Sequence, residues 1–172
     1  MPAPAFSEHY RELTDDLTAW SRIQVRQAGI AGLDADDLAQ ETWSRAFASF
    51  DTFDAARGTF RAWLFGIAYH VLRKHLRCLG TARRRLGEDQ RPIDGCPDHG
   101  TSIVTRLGRS ERAQRLVELV EELPEQDRLL VLYRGLEGLS HAEVGARLQL
   151  NPPAAETRWR RVRERLAGML PE

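Results

Sequence analysis

Apolar side chains recur at every third or fourth position along most of the chain, and this period predicts amphipathic helices. In the first predicted helix, over residues 6–27, the stripe is Phe6, Tyr10, Leu13, Leu17, Trp20 and Ile23. Gly29 and Gly32 interrupt the pattern. Asp34 is a good N-cap for a second helix, because its side chain can accept from free backbone N–H groups and acidic neighbours favour a helix start. The inner stripe of that helix would be Leu38, Thr42, Trp43, Ala46, Phe47 and Phe50.

A third predicted helix follows a polar loop over residues 51–58 that carries Phe53 as an exposed aromatic side chain. This helix would run from Phe60 to about Leu79. Its predicted inner face is Phe60, Leu64, Ile67, Ala68, Val71, Leu72 and His75 or Leu76. From Gly80 the period fails and glycine and proline accumulate, which predicts a linker.

The period returns after the linker and predicts four shorter helices. One ends before Pro124, and another covers Leu129 to Gly135. Ser140 and Glu143 have the spacing of a capping box for the next helix, which would end at Leu148. Asn151 would cap the last helix, with Pro152 in its first turn. These last two helices, joined by a short turn, predict a helix-turn-helix.

No alternation of polar and apolar residues suggests a β-strand, so the predicted class is all-α. We expect two small helical domains joined by a flexible linker: residues 6–79, a linker over 80–112, and residues 113–170.

Charge is sorted along the chain, although the formal net charge is zero. Residues 1–60 carry five arginines against ten acidic residues, while residues 61–91 carry eight basic residues against two acidic ones. Five arginines also lie within eight positions of the last predicted helix: Arg158, Arg160, Arg161, Arg163 and Arg165. Such a surface can neutralise phosphates and release counterions, which predicts binding of nucleic acid. The alternative is a solvated amphipathic helix.

No apolar run is long enough to span a membrane, and the first residues lack the features of a signal peptide. We therefore expect the chain to stay in the cytoplasm, where two cysteines would not form a disulfide framework. No phosphate-binding glycine loop, nucleophile elbow or metalloprotease motif occurs, so we expect no enzymatic activity and no cofactor.

Two stretches resemble extracytoplasmic-function (ECF) sigma factors of the sigma-70 family. The motif from Asp37 to Trp43, with residues 60–68 and 75–77, resembles their region 2. The motif over residues 123–128, with residues 137–144 and 158–166, resembles their region 4. The resemblance implies an alternative sigma factor that binds core RNA polymerase, through its β′ and β subunits, and promoter DNA. It also implies a possible anti-sigma partner.

The resemblance also implies roles for particular residues. Those implied to bind the β′ coiled coil are Asp37, Gln40, Glu41 and Arg45. Those implied to recognise and open the minus-ten element are Phe53, Arg57, Thr59, Arg61, His70, Arg73, Lys74 and Arg77. Those implied to contact the minus-thirty-five element are Ala154, Glu156, Thr157, Arg158, Arg160, Arg161 and Arg163.

Some positions depart from the family pattern. His70 and Lys74 stand where Asn and Asp are common, and Gln149 stands where the turn often has Gly. Glu156 replaces a basic residue, and its carboxylate could accept from a cytosine amine. We therefore expect atypical promoter sequences.

Two alternatives stay open at this stage. A stand-alone helix-turn-helix regulator would bind DNA without polymerase. The pairs His75 with Cys78 and Cys96 with His99 have spacings that could hold zinc, but a helix-end histidine and a small buried cysteine explain the first pair without a metal, and this is the favoured interpretation.

Overall fold

The computed structural model describes residues 4–28, 33–85 and 111–169. All its regular elements are helical, with no strand in those ranges, as the sequence predicted. The described residues form seven α-helices: α1 (Pro4–Ala28), α2 (Ala35–Ala48), α3 (Phe60–Arg85), α4 (Glu111–Glu121), α5 (Glu125–Leu130), α6 (His141–Leu148) and α7 (Pro152–Ala167). A 3-10 turn (Phe50–Thr52) follows α2, and a π-helical segment (Val131–Leu136) continues α5.

Helices α1, α2 and α3 pack together through the predicted stripes. Leu17, Trp20, Leu38 and Leu64 are almost completely buried at the centre of this bundle. Asp34 caps α2 as predicted, since its side chain accepts from the Asp36 backbone N–H at 2.7 Å. Two predicted core positions are wrong, because 45% of Tyr10 and 55% of Phe47 are exposed.

Helix α3 extends six residues beyond its predicted end at Leu79. A glycine inside a helix costs only about 1 kcal/mol relative to alanine, so Gly80 was too weak a stop signal. The predicted linker lies mostly outside the described residues.

The helices that follow the linker pack directly on α1. Val117 and Val120 of α4, and Leu132 and Leu136 of the π-helical segment, belong to the same apolar core as Trp20. Arg26 of α1 also pairs with Glu121 of α4. A smaller core of Leu130, Val144 and Ala155 joins α5, α6 and α7. The two parts of the chain therefore share buried surface.

Candidate nucleic-acid and polymerase interfaces

The helix-turn-helix forms with both predicted caps. Ser140 Oγ accepts from the Glu143 backbone N–H at 3.2 Å, and the Glu143 carboxylate accepts from the Ser140 backbone N–H at 2.8 Å. The Ser140 hydroxyl also donates to Glu143 Oε2 at 2.7 Å, and this hydrogen bond, together with the one from the Ser140 backbone N–H, lowers the pKa of the Glu143 carboxyl. Asn151 Oδ1 accepts from the Ala154 backbone N–H at 2.8 Å, which fixes the first turn of α7.

The turn between α6 and α7 depends on two backbone positions. Gln149 adopts the left-handed conformation, with φ 57°. Gly145 lies so close to the turn that a Cβ there would be 2.5 Å from the Leu150 carbonyl oxygen. The sequence pattern does not single out Gly145, because the contact depends on a residue of the turn.

A cleft of about 690 Å³ opens beside residues 153–162 of α7. It is lined by Asp127, Leu150, Pro153, Ala154, Thr157, Arg158, Arg161 and Val162. Four of the residues implied to read the minus-thirty-five element, Ala154, Thr157, Arg158 and Arg161, are therefore brought together. The other three, Glu156, Arg160 and Arg163, are exposed but do not line this cleft.

Arg158 is held by α5 rather than extended into solvent. Its Nε donates to Asp127 Oδ1 at 2.6 Å, and its Nη1 donates to Gln126 Oε1. The sequence predicted neither partner. Asp127 and Gln126 lie 31 and 32 positions before Arg158, and no local pattern indicates a contact at such a separation.

The outer face of α3 exposes His70, Arg73 and Arg77, as predicted. Lys74 is half-buried, with its Nζ 3.7 Å from Glu41 Oε1. A second cleft, of about 410 Å³, has Tyr69, His70 and Arg73 on one side and Tyr133 and Arg147 on the other. Part of the face implied to meet the minus-ten element thus borders the helix-turn-helix.

The loop before α3 differs from the prediction at Phe53. The ring is half-buried rather than exposed, with its centroid 5.3 Å from that of Phe60 and 5.5 Å from that of Trp63. Arg57 and Thr59 are exposed, and Thr59 Oγ1 accepts from the Ala62 backbone N–H at 3.2 Å. The aromatic side chains of this loop therefore stabilise its packing against α3.

Arg61 connects three elements. Its Nη1 donates to Asp16 Oδ2 of α1 at 2.7 Å and to the Leu136 carbonyl oxygen at 2.6 Å. Gly138 lies two residues after Leu136 in the sequence and has φ 77°. A Cβ at this position would be 2.9 Å from Arg61 Cδ. In this structure Arg61 therefore joins α3 to the π-helical segment that follows the linker.

The four residues implied to bind polymerase lie on α2. Gln40 is exposed, whereas Asp37, Glu41 and Arg45 are half-buried. Glu41 accepts from Arg45 Nη2 at 2.6 Å and contacts His75 Nε2 at 2.7 Å. Burial alone would raise the pKa of the Glu41 carboxyl, but the His75 hydrogen bond and the charges of Arg45, His75 and Lys74 outweigh burial and lower it.

The contact between His75 and Glu41 also bears on the zinc site that the sequence left open. His75 is only 2% exposed, and its Nε2 is directed at a carboxylate, while Cys78 is half-buried. Cys96 and His99 lie outside the described residues. Within the described ranges, no group of three or more histidine, cysteine or acidic side chains could hold a metal ion.

Glu137 forms a buried junction that no sequence pattern predicted. Its Oε1 accepts from Trp20 Nε1 at 2.9 Å and from the Tyr69 hydroxyl at 2.7 Å, and its Oε2 accepts from Arg147 at 3.3 Å. Burial raises the pKa of the Glu137 carboxyl, and the hydrogen bonds from Tyr69 and Trp20 and the charge of Arg147 offset only part of that effect. This carboxylate joins α1, α3 and α6.

No helix in the described ranges has the length and apolar character needed to cross a membrane. Over the residues that the structure describes, the geometry defines a helical protein with a capped helix-turn-helix and a second basic helix.

Comparison with known proteins identifies the family. Residues 10–84 match sigma-70 region 2, and residues 113–166 match sigma-70 region 4. The ECF RNA polymerase sigma factor SigF of Caulobacter vibrioides is 32% identical over 142 residues, which cover 83% of this chain and 73% of the relative. The chain belongs to the sigma-70 family, as an alternative sigma factor of the ECF type.

A further relative and a solved structure are also similar. The ECF sigma factor SigE of Mycolicibacterium smegmatis is 31% identical over 97% of this chain, and the chain spans 62% of the length of that relative. The co-crystal structure of the sigma factor RpoE with the anti-sigma factor NepR from Bartonella quintana aligns with 97% of this chain, at 20% identity and a TM-score of 0.48.

Proposed function

We propose that this chain binds core RNA polymerase and directs it to promoters through two DNA contacts, made by α3 with its preceding loop and by α7. The observation that carries the proposal is the presence, in one chain, of a capped helix-turn-helix with an arginine-lined cleft and of a separate basic face on α3. A stand-alone helix-turn-helix regulator would have no need of the second basic face.

The cleft beside α7 suits the minus-thirty-five contact. The N-terminal part of the second helix of such a motif enters the major groove, and Ala154, Thr157 and Arg158 lie there, with Arg161 about one helical turn further on. On the polymerase side, we propose that α2 contacts the β′ coiled coil through its exposed surface around Gln40. Glu41 would act mainly by fixing Arg45, since its carboxylate is already occupied by internal partners.

Run-off transcription tests the proposal directly. Core RNA polymerase with the full chain should give promoter-specific transcripts from genomic fragments, and core polymerase alone should not. Absence of both a specific transcript and core binding would rule the proposal out. The same assay separates it from the stand-alone regulator, which would bind DNA but would not depend on core polymerase.

A variant of the holoenzyme tests the role of α7. Replacing Arg161 by Ala should weaken promoter binding and lower the salt dependence of binding, because one phosphate contact is lost. A matched control is Arg115→Ala, which removes an exposed arginine of α4 that pairs with Glu118. Equal salt dependence in the wild type and the Arg161 variant would remove this residue from the interface.

The resemblance also implied an anti-sigma partner. This stays a prediction for the present chain, and co-purification of the full chain from its native host would test it.

A further inference from the structure

The contacts of Arg158 leave a defined part of its guanidinium available. The group has five N–H donors in a plane. One is used on Nε by Asp127, and one on Nη1 by Gln126. Neither contact uses Nη2, so its two N–H groups and the second N–H of Nη1 remain. These two nitrogens form the pair that can donate to O6 and N7 of guanine.

The side chain of Arg158 is also placed where a base could reach it. It is 33% exposed and lines the cleft beside α7 together with Thr157 and Arg161. An unrestrained arginine would lose rotamer entropy when it became fixed on a base. Contacts with α5 remove much of that freedom before DNA arrives, which favours a directed contact.

The charge around Arg158 also favours a contact with a base over a contact with phosphate. Asp127 is only 18% exposed, and its carboxylate lies directly against Arg158. This pair neutralises much of the positive charge of Arg158, which makes it a poor general contact for phosphate. Arg161 lines the same cleft with its side chain exposed and can supply that contact. The two arginines therefore suit different tasks.

We propose that Asp127, assisted by Gln126, is a positioning residue that directs the free edge of Arg158 to a guanine in the minus-thirty-five element. The inference rests on the proposed function, because it assumes that α7 reads promoter DNA. Asp127 itself does not touch the base. Its contribution is to discrimination between bases rather than to overall affinity.

The test uses holoenzyme assembled from core polymerase and the full chain, with a promoter found by run-off transcription and randomised in its upstream element. Wild type should select guanine at one position. Arg158→Lys cannot form the fork and should lose about tenfold in preference for guanine there. Asp127→Ala should lose preference at the same position, and the double variant should lose no more than Arg158→Lys alone.

Glu125→Ala is the matched control. It removes a negative charge from the same helix start, at an exposed residue. It should leave the selected sequence unchanged. Asp127→Ala should also leave binding to unrelated DNA equal or stronger, since the charge of Arg158 is then no longer compensated.

Three results would overturn the inference: guanine preference unchanged in Asp127→Ala, preference altered at a different position from that of Arg158→Lys, or a uniform loss of affinity for all sequences together with a lower melting temperature. The last result would mean that Asp127 only joins α5 to α7. If wild-type holoenzyme selects no sequence at all, the proposed function fails as well, and this outcome is distinct from the other three.

Discussion

Single residues decide whether the helix-turn-helix can close. Gln149 occupies the left-handed region with φ 57° and ψ 38°, where a side chain with a Cβ is strained. The strain is about 1–2 kcal/mol for a residue other than glycine. The backbone needs this conformation so that the Leu150 N–H can donate to the Gly145 carbonyl at 2.9 Å. Gln149 is therefore locally strained at a position where glycine would not be.

Replacing Gln149 by Gly should therefore raise the free energy of unfolding by about 0.5–1 kcal/mol, after allowance for the greater freedom of glycine in the unfolded chain. Chemical denaturation of the purified chain would measure it. Gln149→Ala is the control, since alanine keeps the Cβ and should give no such gain. A gain with alanine equal to that with glycine would show that the Gln149 side chain, rather than the backbone, is unfavourable.

At the scale of elements, the sequence period predicted which helices form and most of their inner faces, including Leu38, Leu64 and Val71. Caps were predictable because Asp34, Ser140 and Asn151 act on backbone groups two or three residues away. Contacts between elements were not predictable, because the period does not specify which neighbour covers a face. Phe47 was assigned to the core on its spacing, yet half of it is exposed.

Gly145 is the clearest case of an element contact that depends on one residue. Gly145→Ala would bring a Cβ against the Leu150 carbonyl oxygen, so α6 and the turn must separate, at a cost of about 1–3 kcal/mol. Gly66→Ala is a matched control, because Gly66 lies inside α3 and a Cβ added there would meet nothing within 4 Å. The control should gain about 0.5–1 kcal/mol. Urea unfolding of both variants should give changes of opposite sign; the same sign would contradict the packing argument.

At the scale of the whole molecule, the described residues attach the helix-turn-helix part to α1 and α3 through apolar contacts, the exposed Arg26–Glu121 pair and two further polar centres. One is Arg61, which reaches Asp16 and the Leu136 carbonyl, and the other is Glu137. Trp20 and Glu137 are 117 residues apart, so no local pattern could have indicated their contact. The sequence predicted two helical units, and the structure contains both. The apolar core that the two units share could be found only in the structure.

The Glu137 junction has an electrostatic cost. The residue is 4% exposed, and the pKa of its carboxyl is raised above the ordinary value of 4.5 because burial outweighs its three donors. The folded chain therefore binds more protons than the unfolded chain between pH 4.5 and the raised pKa. Stability from this group is fully present below pH 4.5 and is lost as the pH rises through that window.

Replacing Glu137 by Gln should remove this pH dependence while keeping an oxygen that can accept from Trp20 and Tyr69. We expect the stability of wild type relative to Glu137→Gln to fall as the pH rises above 4.5, with a slope of at most about 1.4 kcal/mol per pH unit. Urea unfolding of both proteins between about pH 4 and 7 would measure the difference. Glu41→Gln is a control of opposite sign, because the pKa of Glu41 is lowered and its contribution is lost as the pH falls. A wild-type advantage over Glu137→Gln that grew with pH would mean that the hydrogen bonds and Arg147 outweigh burial at this junction.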